Sequence, residues 1–105
     1  MQNVQQLIAL TAEASDERVA AEVAYINEIG DHPRHAGSAA IRGATHASPL
    51  VRQAAINCIR RTGASKNATL RWVRDYYSGM DPLAGELELV KAFVAEVFPS
   101  KGFGN

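Results

Sequence analysis

Three helix-start signals at one spacing limit what this chain can fold into. Ser48 lies 33 residues after Ser15, and Asp81 lies 33 after Ser48. Ser48-Pro49-Leu50 is echoed by Asp81-Pro82-Leu83, and Ala21, Ile26 and Gly30 match Ala54, Ile59 and Gly63. The segment from Ser48 to Gly63 is the most complete copy. Its serine hydroxyl can accept a free amide of the first turn, and Pro49 has no N–H to leave unpaired there. Gly63 can close the last turn in a left-handed conformation. Leu50, Val51, Ala54, Cys58, Ile59 and Thr62 fall on one face at helical spacing, with Gln53, Asn57 and Arg60 opposite. A period of this length is the mark of stacked units. Each unit is a helical pair that buries its apolar face against its neighbour.

Six helices follow from the same signals. The first covers about residues 3–14, with Val4, Leu7, Ile8 and Thr11 inward. The second is capped by Ser15, runs to Ile29 and carries Val19, Val23, Ile26 and Ile29 on one side. A third starts from an Asp31 cap with Pro33 in its first turn and reaches Thr45 or His46. It is the weakest, because Gly37 and Gly43 each cost about 1 kcal/mol relative to Ala in a helix interior. The fifth spans about 67–77, with Leu70, Val73 and Tyr77 inward and Arg71, Arg74 and Asp75 outward. The sixth starts at Asp81-Pro82, buries Leu83, Leu87, Val90, Val94, Val97 and Phe98, and stops at Pro99. The spacing thus predicts one all-α domain over residues 1–98 and a loose tail over 99–105.

At 105 residues the chain suits one domain with a modest core. The start lacks a basic stretch and a long apolar run, so no signal peptide is expected. No apolar run approaches the length of a membrane span. Cys58 is the only cysteine, which excludes an intramolecular disulfide and fits a reducing, cytoplasmic setting. The net charge of zero hides a segregation. Between His32 and Arg74 lie eight basic residues and no Asp or Glu; the remainder carries eleven acids against Arg18, Lys91 and Lys101. Such asymmetry points to an acidic partner.

The Ser48–Gly63 segment resembles the second helix of a HEAT repeat, whose usual form is acidic-Pro-x-Val-Arg-x-Ala-Ala, then Leu or Ile, then Gly. Gly30-Asp31-His32-Pro33-Arg34 resembles the Gly-Asp-Pro-Arg turn that links such repeats, with His32 as an insertion. The resemblance covers about three short repeats and fades in the last, where Gly85, Glu86 and Leu87 replace the Arg-x-Ala core, as in a terminal cap. His46 stands where the family has its acidic residue before the arginine. The resemblance implies a short right-handed α-α superhelix of three antiparallel pairs, with the second helices lining a concave surface.

Little in the chain points to catalysis. His32 and His35 are three apart, a spacing that can place two imidazoles on one metal, with His46 and Cys58 as further donors. The plainer role for these histidines is capping or contact with solvent, so no metal or other cofactor is expected. Cys58 sits on an apolar face, where a thiol behaves as a small hydrophobe. Glu86 and Glu88 are two apart and do not face one another on a helix. Phosphate loops and nucleophile motifs are absent from the sequence.

The expected function is a non-catalytic, HEAT-like protein-interaction module. Its partner surface is the outward side of the fourth helix: Gln53, Asn57, Arg60 and Arg61. An acidic peptide or protein segment would dock there, flanked by Ala20 and Ala24 on one side and Glu86 and Val90 on the other. Arg71, Trp72 and Arg74 form a possible second basic surface, where aromatics between arginines can stack nucleotides or meet a protein. Nucleic-acid binding through the basic middle, as in HEAT-like repair proteins, is the first alternative; a subunit similar to HEAT-like chromophore lyases is the second. Arg52, at the rim of the packing face, is expected to pair with Glu13, Asp16, Glu17 or Asp81.

Overall fold

The structure, a computed structural model, describes residues 2–99; of the tail expected over 99–105, residues 100–105 lie outside the described residues. Six helices follow in order: α1 (Val4–Thr11), α2 (Asp16–Glu28), α3 (Arg34–Ala44), α4 (Pro49–Thr62), α5 (Lys66–Tyr77) and α6 (Glu86–Val97). The chain is all-α, and among the described residues there is no strand, only an isolated parallel bridge between Asn3 and Ala84.

Local chemistry explains most of the boundaries. Asn3 and Gln6 form a reciprocal capping box at α1. Ser15 accepts from Arg18 N, Ser48 from Leu50 N and Ser65 from Ala68 N, each satisfying a free first-turn amide. Gly63 closes α4 with φ 71°, a backbone region in which a side chain is strained. α3 begins at Arg34 instead of next to the expected Asp31 cap. His32 supplies the acceptor: its Nδ1 takes the Arg34 N–H at 3.1 Å.

The sixth helix departs further from expectation. Asp81, Pro82 and Leu83 are not helical, and α6 starts only at Glu86, after Gly85 at φ 83°. The Glu86 carboxylate accepts both Leu83 N–H and the hydroxyl of Tyr77. Those bonds, with Val4 N–H donating to Ala84 O at 3.1 Å, hold the preceding segment extended, so the Asp81-Pro82-Leu83 signal is not used as a helix start.

The helix with the poorest intrinsic propensity lies at the centre. α3 packs against α4, α5 and α6, while α2 lies along α4. Ala36, Gly37, Ala39, Ala40, Gly43 and Ala44 are all buried, so neighbouring backbones approach α3 closely. A Cβ added at Gly43 would lie 2.5 Å from Ala55 Cβ and 2.8 Å from Phe93 Cζ. One at Gly37 would lie 2.8 Å from Trp72 Cβ. The core then fills with Ile26, Val51, Cys58, Ile59, Val73, Val90, Phe93 and Val94, from the four helices α2, α4, α5 and α6. α1 is strung between two connections, with Val4 at Ala84 and the Thr11 hydroxyl accepting Ala47 N–H at 2.9 Å.

Candidate partner-binding groove

α2 and α4 lie side by side and run in the same direction. Asp16 shares a groove with Leu50 at one end, Asn27 with Asn57 at the other, and Arg61 reaches Ile26 and Ile29 beyond. The groove between them encloses about 530 Å³. Val19, Ala20, Val23 and Ala24 line it from α2, and Leu50 and Ala54 from α4. Gln53 and Asn57 form its polar edge, one turn apart on α4 and joined by Gln53 Nε2–H donating to Asn57 Oδ1 at 3.0 Å.

Leu50 was expected on the packing face and is instead 66% exposed, at the groove mouth. Val51 and Ala54, expected on the same face, are buried. An exposed leucine beside small apolar residues leaves uncovered surface that a partner could remove from water.

The four residues expected on this surface divide. Gln53 and Asn57 line the groove, as do the neighbouring Ala20 and Ala24. Arg60, one turn beyond Asn57, is exposed and makes no ion pair among the described residues. Arg61 is exposed but its guanidinium turns toward α2, donating to Ile29 O at 3.2 Å and Ile26 O at 3.5 Å. These carbonyls belong to the last turn of α2, where a cation also meets the negative end of the helix dipole. Glu86 and Val90 do not flank the groove: Glu86 is held by Tyr77 and Leu83, and Val90 is fully buried.

Arg52 also finds a partner other than the expected acids. Its Nη2 lies 2.5 Å from Glu96 Oε2, and its guanidinium stands 4.8 Å from the centre of the Phe93 ring. The reason is angular. Arg52 is two residues past Leu50, hence on the other side of α4, facing α6 while Leu50 faces α2.

Each histidine ring meets the backbone: His32 and His46 accept from Arg34 N and Ser48 N, and His35 Nδ1–H donates to Gly30 O at 2.8 Å. Among the described residues no three His, Cys, Asp or Glu side chains gather to hold a metal. Burial pushes the Cys58 thiol up, against a smaller opposing effect of Arg61, so it stays protonated. Trp72 of the second basic surface is half-buried, with Arg71 and Arg74 exposed beside it. Its real neighbours, His32 at 6.3 Å between ring centres and the α3 residues opposite, come from distant sequence and were not foreseen.

Comparison of the chain with protein-family models, with curated proteins and with solved structures returns no match. No helix is long and apolar enough to cross a membrane among the described residues.

Proposed function

We propose that the protein is a non-catalytic, HEAT-like interaction module that seats a short segment of a protein partner in the α2–α4 groove. The carrying observation is the 530 Å³ groove itself, apolar along its length, with Leu50 exposed at its mouth and Gln53 and Asn57 along its rim. The parallel placement of α2 and α4, with α3 against α5, supports the layering of stacked helical pairs. Small apolar side chains of the segment fill the space beside Ala20, Ala24 and Ala54; backbone amides of an extended segment pair with Gln53 and Asn57.

Charge sets the direction. Arg60 stands unpaired beyond one end and Asp16 closes the other, so the segment places a carboxylate toward Arg60. Selection of a displayed random-peptide library on the folded protein tests this reading. Enriched peptides should combine small apolar residues with an acid at one end. Leu50→Asp should abolish their binding, and Arg60→Glu should weaken it about tenfold, more at low salt than at high. Peptides that bind both variants as they bind the parent would overturn it. Arg61→Glu is unsuitable here, since Arg61 ties α2 to α4.

A further inference from the structure

A second depression lies between α3 and α5, away from the groove residues. It encloses about 220 Å³ between Arg34, His35 and Ser38 of α3 and Trp72, Asp75 and Tyr76 of α5. A neighbouring hollow of about 190 Å³ shares Ser38 and Tyr76 and reaches Tyr25 of α2. Two aromatic rings, a carboxylate and arginines therefore meet around a space large enough for one planar heterocycle.

The rings are placed firmly. Trp72 Cβ is held against Gly37, so close that no Cβ fits there, and His32 meets the indole edge-on at 74° and 6.3 Å. Tyr76, one turn further along α5, is 49% exposed and packs its other side edge-to-face on Tyr77 at 5.2 Å. An indole fixed from behind and a phenol open in front make a stacking platform for a base.

The polar groups narrow the ligand. Glu22 and Glu96 are spent on Arg42 and Arg52, whereas Asp75 makes no ion pair among the described residues. Arg34, Arg71 and Arg74 are equally unpaired, and Arg71 stands 6.0 Å from the Trp72 ring centre. An ionised carboxylate only accepts hydrogen bonds. A base that presents two adjacent donors on one edge satisfies both its oxygens. Guanine does so through N1–H and N2–H₂, whereas adenine, cytosine and uracil each place an acceptor beside the donor. Arg34 lines the cavity and Arg71 stands beside the Trp72 ring, so guanidinium groups flank the base and suit its phosphate.

We infer that the α3–α5 cavity binds the guanine base of a phosphorylated ligand. Trp72 and Tyr76 stack the base, Asp75 accepts from its N1–H and N2–H₂, and Arg71 holds the phosphate. The ligand is a guanine mononucleotide or a guanine within a single strand.

Trp72 is the only tryptophan in the chain, so its fluorescence reports this cavity alone. Titration with GMP should quench it saturably, and AMP should bind about tenfold or more weakly. Asp75→Asn should remove that preference. Tyr76→Ala should weaken GMP and guanosine alike, and Arg71→Ala should weaken GMP while leaving guanosine unchanged. Quenching by GMP identifies the free nucleotide as sufficient; quenching by a short oligoguanylate but not by GMP identifies the strand. No saturable quenching by either probe, equal affinity for GMP and AMP, or a guanine preference that survives Asp75→Asn in a folded variant would overturn the inference.

Discussion

The α3–α4 pair and the connection from α5 to α6 hold the molecule together in opposite ways. Where α3 meets α4, small residues bring backbones so close that even a methyl at Gly43 would collide with Ala55 and Phe93. Close-packed interiors resist added volume because there is no gap for it to fill. Between α5 and α6 the chain is extended and partly exposed, and its position depends on a few polar bonds: Tyr77 to Glu86, Leu83 to Glu86, and Val4 to Ala84. One region is fixed by shape, the other by directed bonds. Volume changes should therefore damage the first, and changes of polarity or pH the second.

Gly43→Val should produce the largest effect. The new side chain meets Ala55 Cβ and the Phe93 ring at once, and Phe93 is itself buried between α3 and α4. Overpacking of this kind typically costs about 1–3 kcal/mol, and two collisions place this case at the upper end. Urea unfolding measures it. A midpoint equal to the parent's would mean that α6 yields at Phe93 and that shape does not fix this region.

Tyr77→Phe tests the other region without changing its volume. The hydroxyl donates to the Glu86 carboxylate, and hydrogen bonds to charged groups contribute about 1.5–3 kcal/mol. Partial exposure of Glu86 lowers the expectation to about 1–2 kcal/mol. The same bond gives a pH signature. Burial, reinforced by the neighbouring carboxylate, pushes the Tyr77 phenol above its ordinary value of 10.0. The unfolded chain ionises first, so this contribution is complete below pH 10 and is lost progressively as pH rises toward the folded value. The parent should lose stability more steeply than Tyr77→Phe over that interval in alkaline denaturation. Parallel curves would remove the bond from the account of α6.

The contrast also explains what could be read from the sequence. The boundaries of α2, α4 and α5 follow from caps and periodicity within each segment, and Gln53, Asn57, Ala20 and Ala24 share a groove because a constant period keeps equivalent faces in line. The importance of α3 was hidden because glycine and alanine weaken both propensity and apolar periodicity, while their value lies in how near another helix can come. The start of α6 was misplaced because Asp81-Pro82 is a sound local signal overridden by Tyr77 and Gly85. Arg61 looked outward because its acceptors are backbone carbonyls of α2, which leave no mark in a sequence. Of the Trp72 cavity only the α5 side, Trp72 beside its arginines, is legible in the sequence, because His35 and Ser38 of the facing wall lie more than thirty residues away.

Arg52 joins the two regions, since it leaves α4 and meets α6, and its replacement should have the smallest effect. The ion pair with Glu96 is short at 2.5 Å, but Glu96 is 64% exposed, and exposed pairs contribute about 0–1 kcal/mol. The guanidinium over the Phe93 ring adds a second contact of about 0.5–1 kcal/mol. Arg52→Ala loses both and should cost about 1 kcal/mol, whereas Glu96→Gln loses only the charge and should cost less than half of that. Raising the salt concentration should narrow the gap between the parent and Glu96→Gln, because water and ions screen the pair, while most of the Arg52→Ala deficit persists. Equal losses from the two variants, both removed by salt, would assign the whole link between α4 and α6 to charge and leave Phe93 with no share in it.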